Sequence, residues 1–150
     1  MAEQGVKERP SLRIVRAFKA APERVWQALV EPAALKRWMG PSEAYKVPEV
    51  EADLRVGGRF RIVMHAPGGE VHDVSGVYKE IVPNRKLVYS WAWKSTPDRV
   101  SQVSFELRAA GDGTELTLRH EQLFDEKARE GHARGWIGCL NRLEQFVGAP

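Results

Sequence analysis

Long apolar runs are missing from these 150 residues. The longest, such as Leu87 to Trp93, break far short of the roughly 18 residues that a membrane-crossing helix requires, so no helical span or membrane insertion is expected. Cysteine is nearly absent. Cys139 stands alone, so no intrachain disulfide can form and nothing in the chain is built for an oxidising compartment. Met1 to Ser11 is polar and charged, without the apolar centre of a secretory signal, and the expected location is the cytoplasm. An excess of one charge sign is missing too. The 23 basic and 20 acidic residues leave a net charge of +3, spread so evenly that nucleic acid is not an expected partner. There is no phosphate-cradling Walker loop, no GxGxxG, no Gly-x-Ser-x-Gly elbow and no HExxH, which sets aside nucleotide and hydrolase chemistry and leaves no cofactor expected. No repeat, low-complexity tract or linker divides the chain. The expectation is a single domain over residues 11–150 behind a flexible segment, residues 1–10, forming a monomer or homodimer.

What is present is the composition of a globular protein: 43% hydrophobic and 29% charged residues. A chain of this length buries roughly two thirds of its unfolded surface, enough for a core without staples.

Leu12 to Lys19 is β-branched and aromatic enough for a strand. It runs into Ala20-Ala21-Pro22-Glu23, where proline suits a first helical turn and glutamate suits the helix dipole. The helix that follows holds Val25, Trp26, Leu29 and Val30 and stops at Glu31-Pro32, because the residue before proline is pushed out of the helical region. A second short helix from Ala33 holds Leu35, Trp38 and Met39 and ends at Gly40-Pro41, giving a bent pair. From Val47 to Glu121 the period changes to two, with recurrent turn signals, the pattern of an antiparallel meander. Its expected strands are Val47 to Val56, Arg59 to His65, Val71 to Val82, Leu87 to Trp93, Val100 to Arg108 and Thr114 to Glu121. With the first strand that makes seven, and a sheet that wide must curl. A final helix from Glu126 to Val147, roughly 33 Å long, gathers Ala128, Trp136, Cys139, Leu140, Leu143, Phe146 and Val147 into one arc of about 120°, with His132 near its middle.

Specific residues then meet this order of elements. The start Arg16-Ala17-Phe18-Lys19-Ala20-Ala21-Pro22-Glu23-Arg24-Val25-Trp26, the tract Leu35-Lys36-Arg37-Trp38-Met39-Gly40-Pro41 and Asp53-Leu54-Arg55-Val56-Gly57-Gly58-Arg59-Phe60 form the first half. Gly76, Glu80-Ile81-Val82-Pro83, Leu87-Val88-Tyr89, Gly113-Thr114-Glu115-Leu116-Thr117-Leu118, His120 and Gly135-Trp136 with Leu140 and Leu143 follow. In this order they resemble the family named after activators of the heat-shock protein 90 ATPase. That family lies within the superfamily of START lipid-transfer domains, birch-pollen allergens and polyketide cyclases (SRPBCC). The resemblance covers nearly the whole chain and implies an α+β helix-grip fold. In that fold a curled seven-stranded antiparallel sheet encloses a long C-terminal helix, two short helices follow the first strand, and a cavity usually lies between sheet and final helix. Relatives use that cavity for varied apolar molecules, so the family defines the container and not its contents.

An apolar-ligand site needs concave apolar walls with a few polar groups. The inward faces offer Trp38, Phe60, Ile62, Met64, Phe105, Leu116, Leu118, Trp136, Cys139 and Leu143, with Tyr89, His120 and His132 as polar members. The competing reading is an ordinary core. Gly131, Gly135 and Gly138 fall within about 60° of one another beside the apolar arc, and each costs on the order of 1 kcal/mol against alanine inside a helix. They either clear space for a guest or let a neighbouring element approach closely.

The best-supported expectation is therefore binding of a small hydrophobic, lipid-like or aromatic molecule, without catalysis. Two alternatives come from other classes. One is a protein-interaction module stimulating a chaperone ATPase, as the family name implies. The other is a cyclase or dehydratase using His120 or His132 as proton donor, which would require a carboxylate or tyrosine within hydrogen-bond reach. His65 and His72 flank the Pro67-Gly68-Gly69 hairpin and are placed to face each other, yet two ligands fall short of the three or four a metal takes, and no metal is expected. Glu49, Glu51 and Asp53 alternate with apolar residues and form a solvated strand face. Cys139 lacks a basic activator and reads as a small buried hydrophobe.

Overall fold

The computed structural model describes residues 9–148. Residues 1–8, most of the segment expected to be flexible, lie outside the described residues. Ten elements follow one another: β1 (Leu12–Phe18), α1 (Pro22–Val30), α2 (Pro32–Trp38), β2 (Lys46–Ala52), β3 (Arg59–His65), β4 (Val71–Val82), β5 (Lys86–Trp93), β6 (Ser101–Ala110), β7 (Gly113–Glu121) and α3 (Glu126–Gly148). The strands form one antiparallel sheet in the order β1-β7-β6-β5-β4-β3-β2. This is the helix-grip arrangement expected above: β2 to β7 meander, β1 closes against β7 from Leu12↔His120 to Phe18↔Thr114, and the sheet curls about α3. Among the described residues no helix is long and apolar enough to cross a membrane.

One boundary differs by more than two residues. The second strand ends at Ala52 rather than Val56, because Asp53 to Gly58 folds into a turn in which Arg55 N–H donates to the Asp53 carbonyl and Gly58 N–H to the Arg55 carbonyl. The apolar Leu54 and Val56, read as strand positions, are exposed there.

The two short helices carry the chain from the β1 edge of the sheet to the β2 edge. Pro22 opens α1 with Glu23 in the first turn, and Pro32 opens α2. Glu31 between them is extended and serves as the end of one helix and the start of the next. The Trp38 indole donates to the Ala28 carbonyl at 2.7 Å, tying the pair together where it bends. Gly40, at φ +114°, then turns the chain toward β2, a conformation that a side chain would strain.

The start of α3 is set by Asp125, whose carboxylate accepts the Ala128 N–H at 2.9 Å and so satisfies one free amide of the first turn. Trp136, Cys139, Leu140, Leu143 and Val147 face the core formed by Phe60, Ile62, Tyr89, Phe105, Leu116 and Leu118. The far end of α3 is held where Arg24 donates to the Val147 and Phe146 carbonyls. Its middle is held where Arg142 donates to the Arg37 carbonyl in the last turn of α2 and to the Met39 carbonyl just after it.

Candidate functional site

A cavity of about 380 Å³ lies between the N-terminal half of α3 and the concave face of β3, β4 and β5, with the α2–β2 connection as its third side. Its wall comprises Met39, Pro41 and Tyr45 from the connection, Met64 from β3, His72 from β4, Trp91 and Trp93 from β5, and Ala128, Gly131, His132, Gly135, Trp136 and Cys139 from α3. The strand residues arrive by alternation: Met64 and His72 are cross-strand partners and so share the inner face. His65 pairs with Val71 on the opposite face, so His65 and His72, expected to face each other, do not. Among the described residues no group of three or more His, Cys, Asp or Glu is placed to hold a metal ion. Glu49 and Glu51 lie on the outer face with Arg61, which bridges Glu49 at 3.0 Å and Asp73 at 2.8 Å, while Asp53 pairs with Arg55.

Of the thirteen side chains expected to contact a ligand, Met64, His132, Trp136 and Cys139 line the cavity. Trp38, Phe60, Ile62, Tyr89, Phe105, Leu116, Leu118, His120 and Leu143 are packed in the core instead. Their inward direction was read correctly, but side chains fill the space between α3 and the sheet except beside the N-terminal half of the helix. Sequence reading passed over Met39, Pro41, Tyr45, His72, Trp91, Trp93 and Ala128. The usable signal lay in β5, where Trp91 and Trp93 alternate on one face. The α2–β2 connection has no periodicity to read.

The glycines divide between the two reasons considered for them. A Cβ built on Gly138 would stand 2.1 Å from the Pro41 carbonyl oxygen, so this glycine lets the α2–β2 connection lie directly on the helix. A Cβ on Gly131 or Gly135 would meet nothing within 4 Å, and both residues border the cavity.

Behind the wall runs a chain of hydrogen bonds whose directions are fixed by chemistry, since an indole N–H only donates and a carbonyl only accepts. The Trp136 Nε1–H donates to His120 Nδ1 at 3.0 Å. His120 Nε2 therefore carries the proton and donates to Ser101 Oγ at 2.7 Å, and the serine hydroxyl donates to the Trp91 carbonyl. His132 is held likewise: its Nδ1–H donates to the Ala128 carbonyl at 2.8 Å and its Nε2 accepts the Trp93 Nε1–H at 3.2 Å. Burial lowers the His120 pKa from 6.5 to about 2, with the neighbouring His132 adding to the shift. Burial also lowers that of His132, outweighing the opposite effect of the Ala128 carbonyl. Both rings are thus neutral, with every ring nitrogen engaged, and among the described residues neither bonds a carboxylate or tyrosine.

The Trp91 indole N–H is buried without an acceptor, surrounded by the rings of Trp93, His120, His132 and Trp136. Burial pushes the Cys139 thiol up to about 11, the Gly40 amide acting weakly against it, so at neutral pH it is a protonated, unreactive thiol. The arrangement can receive an apolar, ring-shaped molecule. It offers no activated nucleophile among these groups.

Known proteins resemble the chain at this level of detail. The family model for Activator of Hsp90 ATPase homolog 1-like protein matches residues 19–148. A solved protein from Chromobacterium violaceum is 28% identical with a TM-score of 0.85, covering 93% of this chain and 98% of that one. One from Nitrosomonas europaea is 25% identical with a TM-score of 0.80, covering 95% and 96%. The AHSA1 protein of Silicibacter pomeroyi is 28% identical with a TM-score of 0.79, covering 91% and 96%. No curated protein matches the chain significantly.

Proposed function

The chain belongs to the family of Activator of Hsp90 ATPase homolog 1-like proteins, and from that premise we propose that it binds a small hydrophobic, partly aromatic molecule in the cavity beside α3, without transforming it. The observation that carries this reading is the pair Gly131 and Gly135. Each costs a helix on the order of 1 kcal/mol against alanine. Neither has a neighbour that forbids a side chain, and both border the empty space. Alanine would fill that space and strengthen the helix, so the space itself is what these glycines provide. Aromatic and sulfur-bearing walls, with Trp91, Trp93, Trp136, Met39 and Met64, suit a flat guest. The absence of a reaction is supported by the neutral, fully engaged His120 and His132 rings, which deny the cyclase alternative the proton donors considered for it.

The family name also points to a chaperone ATPase, which would be met by the outer surface. The exposed apolar side chains there include Val15 on β1, Leu54 and Val56 in the turn after β2, Val71 and Val82 at opposite ends of β4, and Ile137 on α3, and the guanidinium groups of Arg9 and Arg99 lie over the Phe124 ring. A pull-down with the chaperone tests that role separately.

The ligand reading is tested with Gly135→Leu, whose side chain enters the cavity without a backbone shift. Binding of the uncharged fluorescent probe N-phenyl-1-naphthylamine is expected to weaken by at least about ten-fold, the equivalent of roughly 1.4 kcal/mol, while the thermal midpoint stays or rises. Unchanged probe affinity in a folded variant overturns the assignment. Native mass spectrometry of the protein as purified adds the identity of any retained guest.

A further inference from the structure

Apart from the buried Cys139 thiol, the polar side chains of the cavity wall are committed, sealed or within reach of a guest. His132, Trp93 and Trp136 have their ring nitrogens committed to protein partners. The Trp91 N–H has no partner but is sealed from solvent. What remains within a guest's reach is His72 on β4 and Tyr45 on the α2–β2 connection. Both are half-buried and both border the cavity. Their rings stand 6.1 Å apart, His72 also packs edge-on to Trp93 at 5.9 Å, and neither side chain has a hydrogen-bond partner among the described residues. No carboxylate, ammonium or guanidinium group lines the space. An ionised guest would give up hydration there without meeting a countercharge.

We propose that His72 and Tyr45 form the polar end of this cavity and select an uncharged, flat aromatic guest that carries a hydroxyl group, a phenol or aryl alcohol. The inference rests on the ligand-binding reading above and adds the guest's chemical class. A hydroxyl is the group that uses both partners at once: its proton goes to an imidazole nitrogen while its oxygen accepts from the tyrosine hydroxyl. The ring body then lies against Trp91, Trp93 and Trp136, and the packing of His72 between Tyr45 and Trp93 holds the imidazole in place before the guest arrives.

The test compares 2-naphthol with 2-methylnaphthalene, which match in shape and differ in hydroxyl against methyl. Both affinities are measured at neutral pH and corrected for the two compounds' water-to-alkane partition. The unmodified protein is expected to prefer 2-naphthol by about ten-fold or more after correction. His72→Phe and Tyr45→Phe are each expected to reduce that preference, read as the ratio of the two affinities in the same variant, to about three-fold or less. Absence of the preference in the unmodified protein, or its persistence in both variants, overturns the hydroxyl selection while the cavity reading stands. Failure of both compounds to bind overturns both.

Discussion

A single methyl group placed at Gly138 destabilises the protein by about 2–3 kcal/mol, whereas the same change at Gly135 leaves stability unchanged or raises it by up to about 1 kcal/mol. Both residues sit in the interior of α3, and alanine improves intrinsic helix propensity equally at each. The difference is what the new Cβ meets. At Gly138 it stands 2.1 Å from the Pro41 oxygen, 2.9 Å from its carbonyl carbon and 3.0 Å from its Cα, all backbone atoms that cannot rotate away. The segment is also pinned, since Arg142 donates to the Met39 and Arg37 carbonyls just before it, so relief requires α3 to lift away from the α2–β2 connection. At Gly135 there is nothing within 4 Å. Denaturant unfolding of the two alanine variants, with similar m-values, measures the contrast. Equal stabilities would show that the connection does not rest on the helix as described.

Acidification is the second large effect. His120 has a pKa of 6.5 when free and about 2 when folded, so between these values the unfolded chain binds a proton that the native protein refuses. The stability this group contributes is complete only well above pH 6.5 and falls as the pH drops through that value, approaching about 1.4 kcal/mol per unit once the unfolded imidazole is fully charged. From pH 6.5 to 4.5 the loss is about 2 kcal/mol, and His132, lowered by burial as well, adds in the same direction. The lowered carboxyl groups of Asp73, Glu115 and Glu126, held down by Arg61, Arg108 and Arg129, begin to contribute in the same direction below about pH 5. Urea midpoints measured every half pH unit read the slope. His120→Gln, whose amide can accept from Trp136 and donate to Ser101, is expected to flatten it by about one proton. A slope that is the same in the variant would place the uptake elsewhere.

Why the fold was readable and the cavity only in part follows from what each depends on. Period-two alternation in Phe60-Ile62-Met64 and in Leu116-Leu118-His120 is a local property, so strand identity and inward direction could be read directly, as could the apolar arc of α3. Whether an inward side chain meets another side chain or a void depends on how far α3 stands from the sheet at that height, which no single segment encodes. Phe105 and Leu143 therefore looked the same as Met64 and Trp136 in the sequence, although the first two are core and the second two are wall. The three glycines came nearest to a direct signal, because their cost in a helix demands compensation. Their two reasons separate only once Pro41 is found against one of them. Tyr45 and His72 meet through the tertiary fold, from a connection without periodicity and from a hairpin end, and nothing local marks them as a pair.

The indoles of Trp91 and Trp136 have centroids 5.4 Å apart, and Trp91 stands at the same distance from Trp93. Chromophores this close share their excitation, so the folded protein should show an exciton couplet in its circular dichroism spectrum. Because all three rings border the same hollow, a guest that turns any one of them rewrites that spectrum, and occupancy can be followed by light absorption without attaching a label.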